Sequence, residues 1–166
     1  MRKIVFLLFV LVVTLCFIAR KNSVLIPDSA IRLRIIANSN SINDQEYKAK
    51  IKNEITKILY SKLNNVDNYE GAKKILNDNI SNIKKVINNY VNDFEINYGY
   101  NNFPEKEYKG VKYDEGDYES LVIKLGEGKG ENFWCVLFPP LCMIDENKLD
   151  DASYSLFVTK LLNKIK

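Results

Sequence analysis

At 166 residues, 46% hydrophobic and 11% aromatic, the chain can bury one ordinary core plus a short extra segment and does not have the composition of a disordered protein. Its net charge of +3 is gathered at the start: Arg2, Lys3, Arg20 and Lys21 fall in the first 21 residues, which hold no acid, so the remainder is nearly neutral and lacks the basic excess of a nucleic-acid binder. With no histidine and three cysteines, Ser-His-Asp and Cys-His catalysis, His-containing zinc sites and a Cys-only structural zinc site are excluded; no cofactor or metal is expected, and acid–base chemistry is left to Asp, Glu, Lys and Tyr.

Ile4 to Ala19 is apolar apart from Thr14 and follows Arg2 and Lys3, which is the form of a secretory signal. As a helix it reaches roughly 24 Å, short of the ~30 Å hydrocarbon core, although bilayer thinning or snorkelling of the flanking basic side chains would let it span. No A-x-A-like pair follows Ala19, so residues 1–21 are either a cleaved signal peptide or an uncleaved membrane anchor. Residues 22–30 read as a linker, and residues 31–166 as a single α+β domain.

Ile31-Arg-Leu-Arg-Ile-Ile-Ala37 opens with apolar and basic residues in alternation, predicting a half-buried strand with Arg32 and Arg34 on one face. Asn38-Ser-Asn-Ser41 breaks it, and Ser41 with Asp44 resembles a capping box for a helix from Asn43 to about Leu63. A second helix is predicted over Asn68 to Val91, its apolar stripe running from Ile75 to Tyr90, and Asn64-Asn65 joins the two as an antiparallel hairpin. The period then changes to two. Phe94 to Tyr98, Tyr118 to Leu125 and Phe133 to Phe138 read as strands, and the last two are expected to pair as a hairpin across a glycine-rich turn. Phe103 to Tyr108 reads as irregular, and Asp151 to Lys166 as a closing helix. The expected fold is a small antiparallel sheet packed by the helical hairpin and the C-terminal helix.

Gly126-Glu-Gly-Lys-Gly130 fails both Walker and dinucleotide-loop spacing and reads as a flexible turn. Asp114, Glu115, Asp117 and Glu119 lack calcium-loop spacing and read as a solvated turn. Arg32 and Arg34, side by side, suit bidentate contacts to carboxylates, either on a partner or on the protein's own helices. From Trp134 to Cys142, alternation alone cannot bury Trp134, Phe138, Leu141 and Met143 together with the neighbouring Phe133 and Leu137, which leaves either an aromatic anchor for a protein partner or a buried hairpin. Cys135 and Cys142 flank Pro139-Pro140 and would close a small loop as a disulfide in an oxidising compartment; the alternative is two buried thiols.

Three stretches together resemble the stage II sporulation protein R family. Ile31-Arg-Leu-Arg-Ile-Ile-Ala-Asn-Ser-Asn40 is similar to its I-R-L-R-[IV]-[IL]-A-N-S-D motif, and Phe103-Pro-Glu-Lys-Glu-Tyr108 to its F-P-x-K-x-Y motif. Glu131-Asn-Phe-Trp-Cys-Val-Leu-Phe-Pro-Pro-Leu-Cys142 is similar to its N-W-W-C-V-L-F-P-P-L-C block. The departures are Asn40 for Asp, Phe133 for the first tryptophan, and Asp114-Glu115 where Pro-Ala is common. The resemblance implies a non-enzymatic protein, exported from the forespore into the space between the two sporulation membranes. There it would trigger a membrane-embedded aspartic protease that processes pro-sigma-E. On that reading the partner contact is expected at Arg32, Arg34, Asn38, Ser39, Trp134, Phe138, Pro139, Pro140 and Leu141. The competing readings are an extracytoplasmic wall hydrolase built on a carboxylate pair and a passive wall-binding module.

Overall fold

The computed structural model describes residues 24–26, 29–108, 111–142 and 150–163; the apolar segment at 1–21, Met143 and Ile165 lie outside them. In chain order the elements are β1 (Val24–Leu25), β2 (Ile31–Ile36), α1 (Ile42–Leu63), α2 (Tyr69–Asn88), β3 (Phe94–Phe103), β4 (Lys106–Tyr108), β5 (Val111–Tyr113), β6 (Gly116–Leu125), β7 (Asn132–Phe138) and α3 (Asp151–Leu162). Among the described residues no helix is long and apolar enough to cross a membrane.

Local chemistry explains where α1 begins. The Ser41 hydroxyl accepts the Asp44 amide at 3.2 Å, satisfying one of the helix's orphan donors. The return half of the predicted capping box is not made. Asp44 instead accepts from Ser39 Oγ at 2.6 Å and Asn38 Nδ2 at 2.9 Å, tying the helix to the end of β2. Helical spacing then delivers Ile51, Ile55, Leu59 and Leu63 of α1, and Ala72, Leu76, Ile83 and Ile87 of α2, into one core. The larger of these side chains each contribute roughly 1.5–3 kcal/mol by leaving water.

The sheet beneath them corrects the antiparallel expectation. Its strand order is β3-β6-β2-β7, with β2 parallel to β6 and antiparallel to β7. The predicted β6–β7 hairpin is therefore split by β2. This strand is the natural centre, because Ile31, Leu33 and Ile35 are buried on the helix side and Arg32 on the other. The glycine-rich loop is long enough to cross the two strand spacings, about 9–10 Å, between β6 and β7.

That loop is latched rather than free. Gly130 N donates to Ala37 O at 2.9 Å and Lys129 N to Asn38 O at 3.0 Å. Asn38 Oδ1 accepts Glu127 N at 2.9 Å, and Asn40 Oδ1 accepts Glu131 N at 2.7 Å. Gly126 adopts φ +52, and a Cβ there would stand 2.3 Å from Asn38 Oδ1.

A second sheet, order β1-β5-β4, was not expected, and it places β1 and the buried Ile26 inside the stretch read as a linker. α3 covers this sheet and not the helical-hairpin face: Tyr154, Val158 and Leu162 pack with Ile26, Val111, Val136 and Leu141. Val136 of β7 joins this cluster to the main sheet.

Candidate functional site

Alternation along β2 puts Arg32 and Arg34 on one face of the sheet, as predicted, and that face is the one opposite the helical hairpin. In register, Arg32 lies across from Ser120 and Val136, and Arg34 from Val122 and Trp134. Arg32 is 2% exposed, with its guanidinium carbon 3.3 Å from the Tyr118 ring centroid and 5.4 Å from that of Phe103. Its Nη1 donates to Asp114 O at 3.5 Å. Arg34 lies over Trp134 at 4.5 Å, and burial lowers its pKa. The Trp134 ring, rather than a helix carboxylate, is the neighbour that holds the Arg34 cation, which forms no ion pair among the described residues.

Beside this pair lies a cavity of about 380 Å³. Its walls come from Arg32 on β2, from Phe103, Pro104, Lys106, Glu107 and Tyr108 around β4, from Asn132 to Val136 of β7, and from Tyr113, Leu141 and Tyr154. All three motif stretches, distant in sequence, thus meet on one concavity. Phe103 packs edge-on against Trp134 at 5.2 Å, and Tyr108 against Tyr154 at 5.8 Å. Lys106 Nζ sits 4.8 Å from the Trp134 ring centroid. Asn132 Oδ1 is buried without a hydrogen-bond partner among the described residues.

Cys135 and Cys142 are bonded, with Cα atoms 5.5 Å apart, and Leu141 N donates to Val136 O at 3.1 Å across the turn. The Phe138–Pro139 peptide is cis. Structural disulfides belong mainly to oxidising compartments, so this bond fits an extracytoplasmic domain.

The expected contact residues fall into three groups. Arg32, Trp134 and Leu141 line the cavity, with Arg34 stacked over Trp134 beside it. Phe138 and Leu141 are 2% exposed and Pro139 is buried, so they pack inside rather than forming an exposed anchor; Trp134 and Pro140 are partly exposed. Phe138 lies in the helical-hairpin core because the register shifts between Ile31 and Arg32. Asn38 and Ser39 stand at the far end of β2, roughly 20 Å along the strand from Arg32, and hold α1 and the glycine loop. Sequence reasoning missed Lys106, Tyr108, Tyr113, Asn132 and Tyr154. The F-P-x-K-x-Y resemblance flagged the first two without giving them a role, whereas Tyr113 and Tyr154 arrive through the unforeseen second sheet.

The acidic cluster disperses. Asp114 pairs with Lys112 at 2.9 Å, and Asp117 accepts from Asn102 at 3.3 Å. Glu119, read as solvated, is 4% exposed because alternation along β6 points it at α2. It accepts from the Tyr98 hydroxyl at 2.6 Å and from that of Tyr69, with Lys73 Nζ at 3.6 Å. Burial first, and then the Glu119 carboxylate, push both phenols well above the usual tyrosine range.

The family described as Stage II sporulation protein R (spore_II_R) matches residues 27–148, a span holding all three motif stretches and every cavity residue except Tyr154. A curated relative, "Stage II sporulation protein R" of Bacillus subtilis (strain 168), is 37% identical over 133 residues, covering 76% of this chain and 59% of the relative's own length. No solved structure matches the chain. The chain belongs to the stage II sporulation protein R family.

Proposed function

We propose that the chain is an exported sporulation signal, made in the forespore, that activates the mother cell's membrane-embedded aspartic protease and so releases sigma-E from its precursor. The observation that carries this reading is the convergence of the three family motifs on one cavity lined by Trp134 and Lys106, with Arg34 stacked over Trp134 beside it. Aromatic rings backed by cations are the usual hot spots of protein interfaces, since they desolvate well and keep few rotamers. The disulfide and the signal-like N-terminus fit action outside the cytoplasm.

The mechanism is binding rather than bond chemistry. A protease that rests in an inactive arrangement is switched only by a ligand that prefers its active one. Moving such an equilibrium from 1:99 to 99:1 requires a preference of about 10⁴-fold, or roughly 5.5 kcal/mol. A few well-packed hot spots supply energy of that order.

The test is reconstitution in a host that does not sporulate, with the protease and its precursor substrate co-expressed with and without this chain. Cleavage should appear only with the exported chain. Absence of cleavage, with the chain shown to be exported, folded and matched to its own protease, would overturn the proposal.

A further inference from the structure

A strand at a sheet edge carries N–H and C=O groups that another strand can use, so folds cover, shorten or charge their edges. Three edges of this fold follow that rule. β1 has only two residues. β4 has three, is preceded by Pro104 and carries Lys106 and Glu107. β7 is closed near its end by its own turn, where Leu141 N donates to Val136 O at 3.1 Å and the disulfide ties Cys142 back to Cys135. β3 is the exception. It runs ten residues, holds no proline or lysine and has Glu95 as its one charge. β6 pairs with one side of it, and no strand among the described residues pairs with the other. Gly126 N donates to Asp93 O at 2.8 Å, which marks those two as a hydrogen-bonded pair. Alternation from there bonds the odd-numbered residues of β3 to β6 and turns the backbone groups of Phe94, Ile96, Tyr98, Tyr100 and Asn102 outward. The side chains of these residues fall on the helical-hairpin face, where Phe94, Ile96 and Tyr98 are half-buried and Tyr100 is 73% exposed.

We propose that a second copy of this chain occupies that edge, β3 against β3, antiparallel about a two-fold axis at Tyr98, so that two four-stranded sheets become one. β3 is itself the strand its edge requires, extended and of matching length. In this register every outward-facing residue meets an outward-facing residue, which satisfies both edges at once. Tyr98 lies beside its mate, Ile96 beside Tyr100 and Phe94 beside Asn102, and aromatic–β-branched neighbours are favourable cross-strand pairs. On the opposite face Glu95 meets Asn101, and the two Glu95 carboxylates stay about 20 Å apart along the strands, so no like charges meet. An axis perpendicular to the sheet keeps both helical hairpins on one side, and the two partners use the same surface.

The register makes Glu95 and Asn101 of facing copies a non-hydrogen-bonded pair with Cα atoms about 4.5 Å apart, within disulfide reach. The full chain in mild detergent carries Cys16→Ser, which leaves Cys135 and Cys142, bonded to each other, as its native cysteines. Glu95→Cys with Asn101→Cys should give a cross-linked dimer on a non-reducing gel after mild oxidation. Glu95→Cys alone should give about tenfold less, because the axis keeps like positions apart. Tyr100→Pro removes an outward N–H without breaking a bond to β6, and Tyr100→Lys puts a charge on the edge; each should cut the cross-link about tenfold. Circular dichroism reports whether the variants remain folded. No dimer from the folded double variant, equal cross-linking by Glu95→Cys alone, or a yield that neither Tyr100 change lowers overturns the proposal. A chain that gives no dimer yet loses precursor cleavage on Tyr100→Pro also overturns it, in favour of a strand from another protein.

Discussion

Removing the Cys135–Cys142 bond tests whether one wall of the cavity depends on a covalent staple. The bond spans a sequence separation of 7 and closes a loop of roughly eight residues. The chain-entropy relation gives about 2.5 kcal/mol for a loop of that size. Within the loop, Leu141 is 2% exposed and belongs to the cluster that α3 covers, while Cys135 and Leu141 both line the cavity. A double variant, Cys135→Ala with Cys142→Ala, should therefore lower the urea midpoint by roughly 1 M at an m-value of about 2 kcal/mol/M, read from Trp134 emission. Wild-type chain treated with a thiol reductant should follow the same curve. If the reduced wild type is clearly more stable than the double variant, the difference measures lost sulfur packing. A midpoint shift worth less than about 0.5 kcal/mol in both cases would refute the loop argument, because the turn would then hold Leu141 unaided.

Four further outcomes follow from the same geometry. Gly130→Ala places a Cβ 2.3 Å from Ser39 O, a backbone atom that cannot swing away, and should cost about 1–3 kcal/mol in urea unfolding. Glu127→Ala, an exposed change in the same loop, should stay within about 0.5 kcal/mol. The phenols of Tyr69 and Tyr98 have folded-state pKa values above the ordinary 10.0, so their stabilisation is complete below that pH and is lost as pH rises through the folded values. Tyr69→Phe with Tyr98→Phe should flatten this alkaline loss, measured by thermal melts across pH, and should cost about 1–3 kcal/mol near neutrality by stripping donors from Glu119. In the reconstituted system, Trp134→Ala and Arg34→Ala should reduce precursor cleavage, with Trp134→Ala weakening protease binding about 30-fold or more. Full activation by both folded variants would remove this face from the contact.

Most elements were legible because their signals are local. α1 starts at a capping serine and carries an i, i+4 stripe through Ile51, Ile55 and Leu59, and β2 shows its two faces in the alternation of Arg32 and Arg34. Strand order was not legible, since it depends on which strand can bear burial on both faces. That property emerged only when the rings of Tyr118 and Phe103 came to surround Arg32. The glycine loop misled for the same reason. Gly126-Glu-Gly-Lys-Gly130 has the composition of a hairpin turn, yet its amides bind Ala37 and Asn38, and that of the following Glu131 binds Asn40, all from the segment just past β2. β4 and β5 are three-residue strands, too short for periodicity to reveal, and the cavity's Tyr108 and Tyr113 depend on them.

The position of β2 explains why a motif running from Ile31 to Asn40 combines two chemistries. Its first half lays Arg32 into the cavity wall; its second half, Asn38 to Asn40, fastens the loop that delivers β7. Because side chains on a strand repeat every two residues, sliding β2 by one position would turn Arg32 into the helical-hairpin core and Leu33 into the cavity wall. The latch at Asn38 and Asn40 opposes that slip, since their amide oxygens meet Glu127 N at 2.9 Å and Glu131 N at 2.7 Å only in the observed register. The same latch sets where Asn132 begins β7, and hence places Trp134 opposite Arg34. Asn38 and Ser39 therefore act on the candidate site from a distance, through register, and not by touching what enters it.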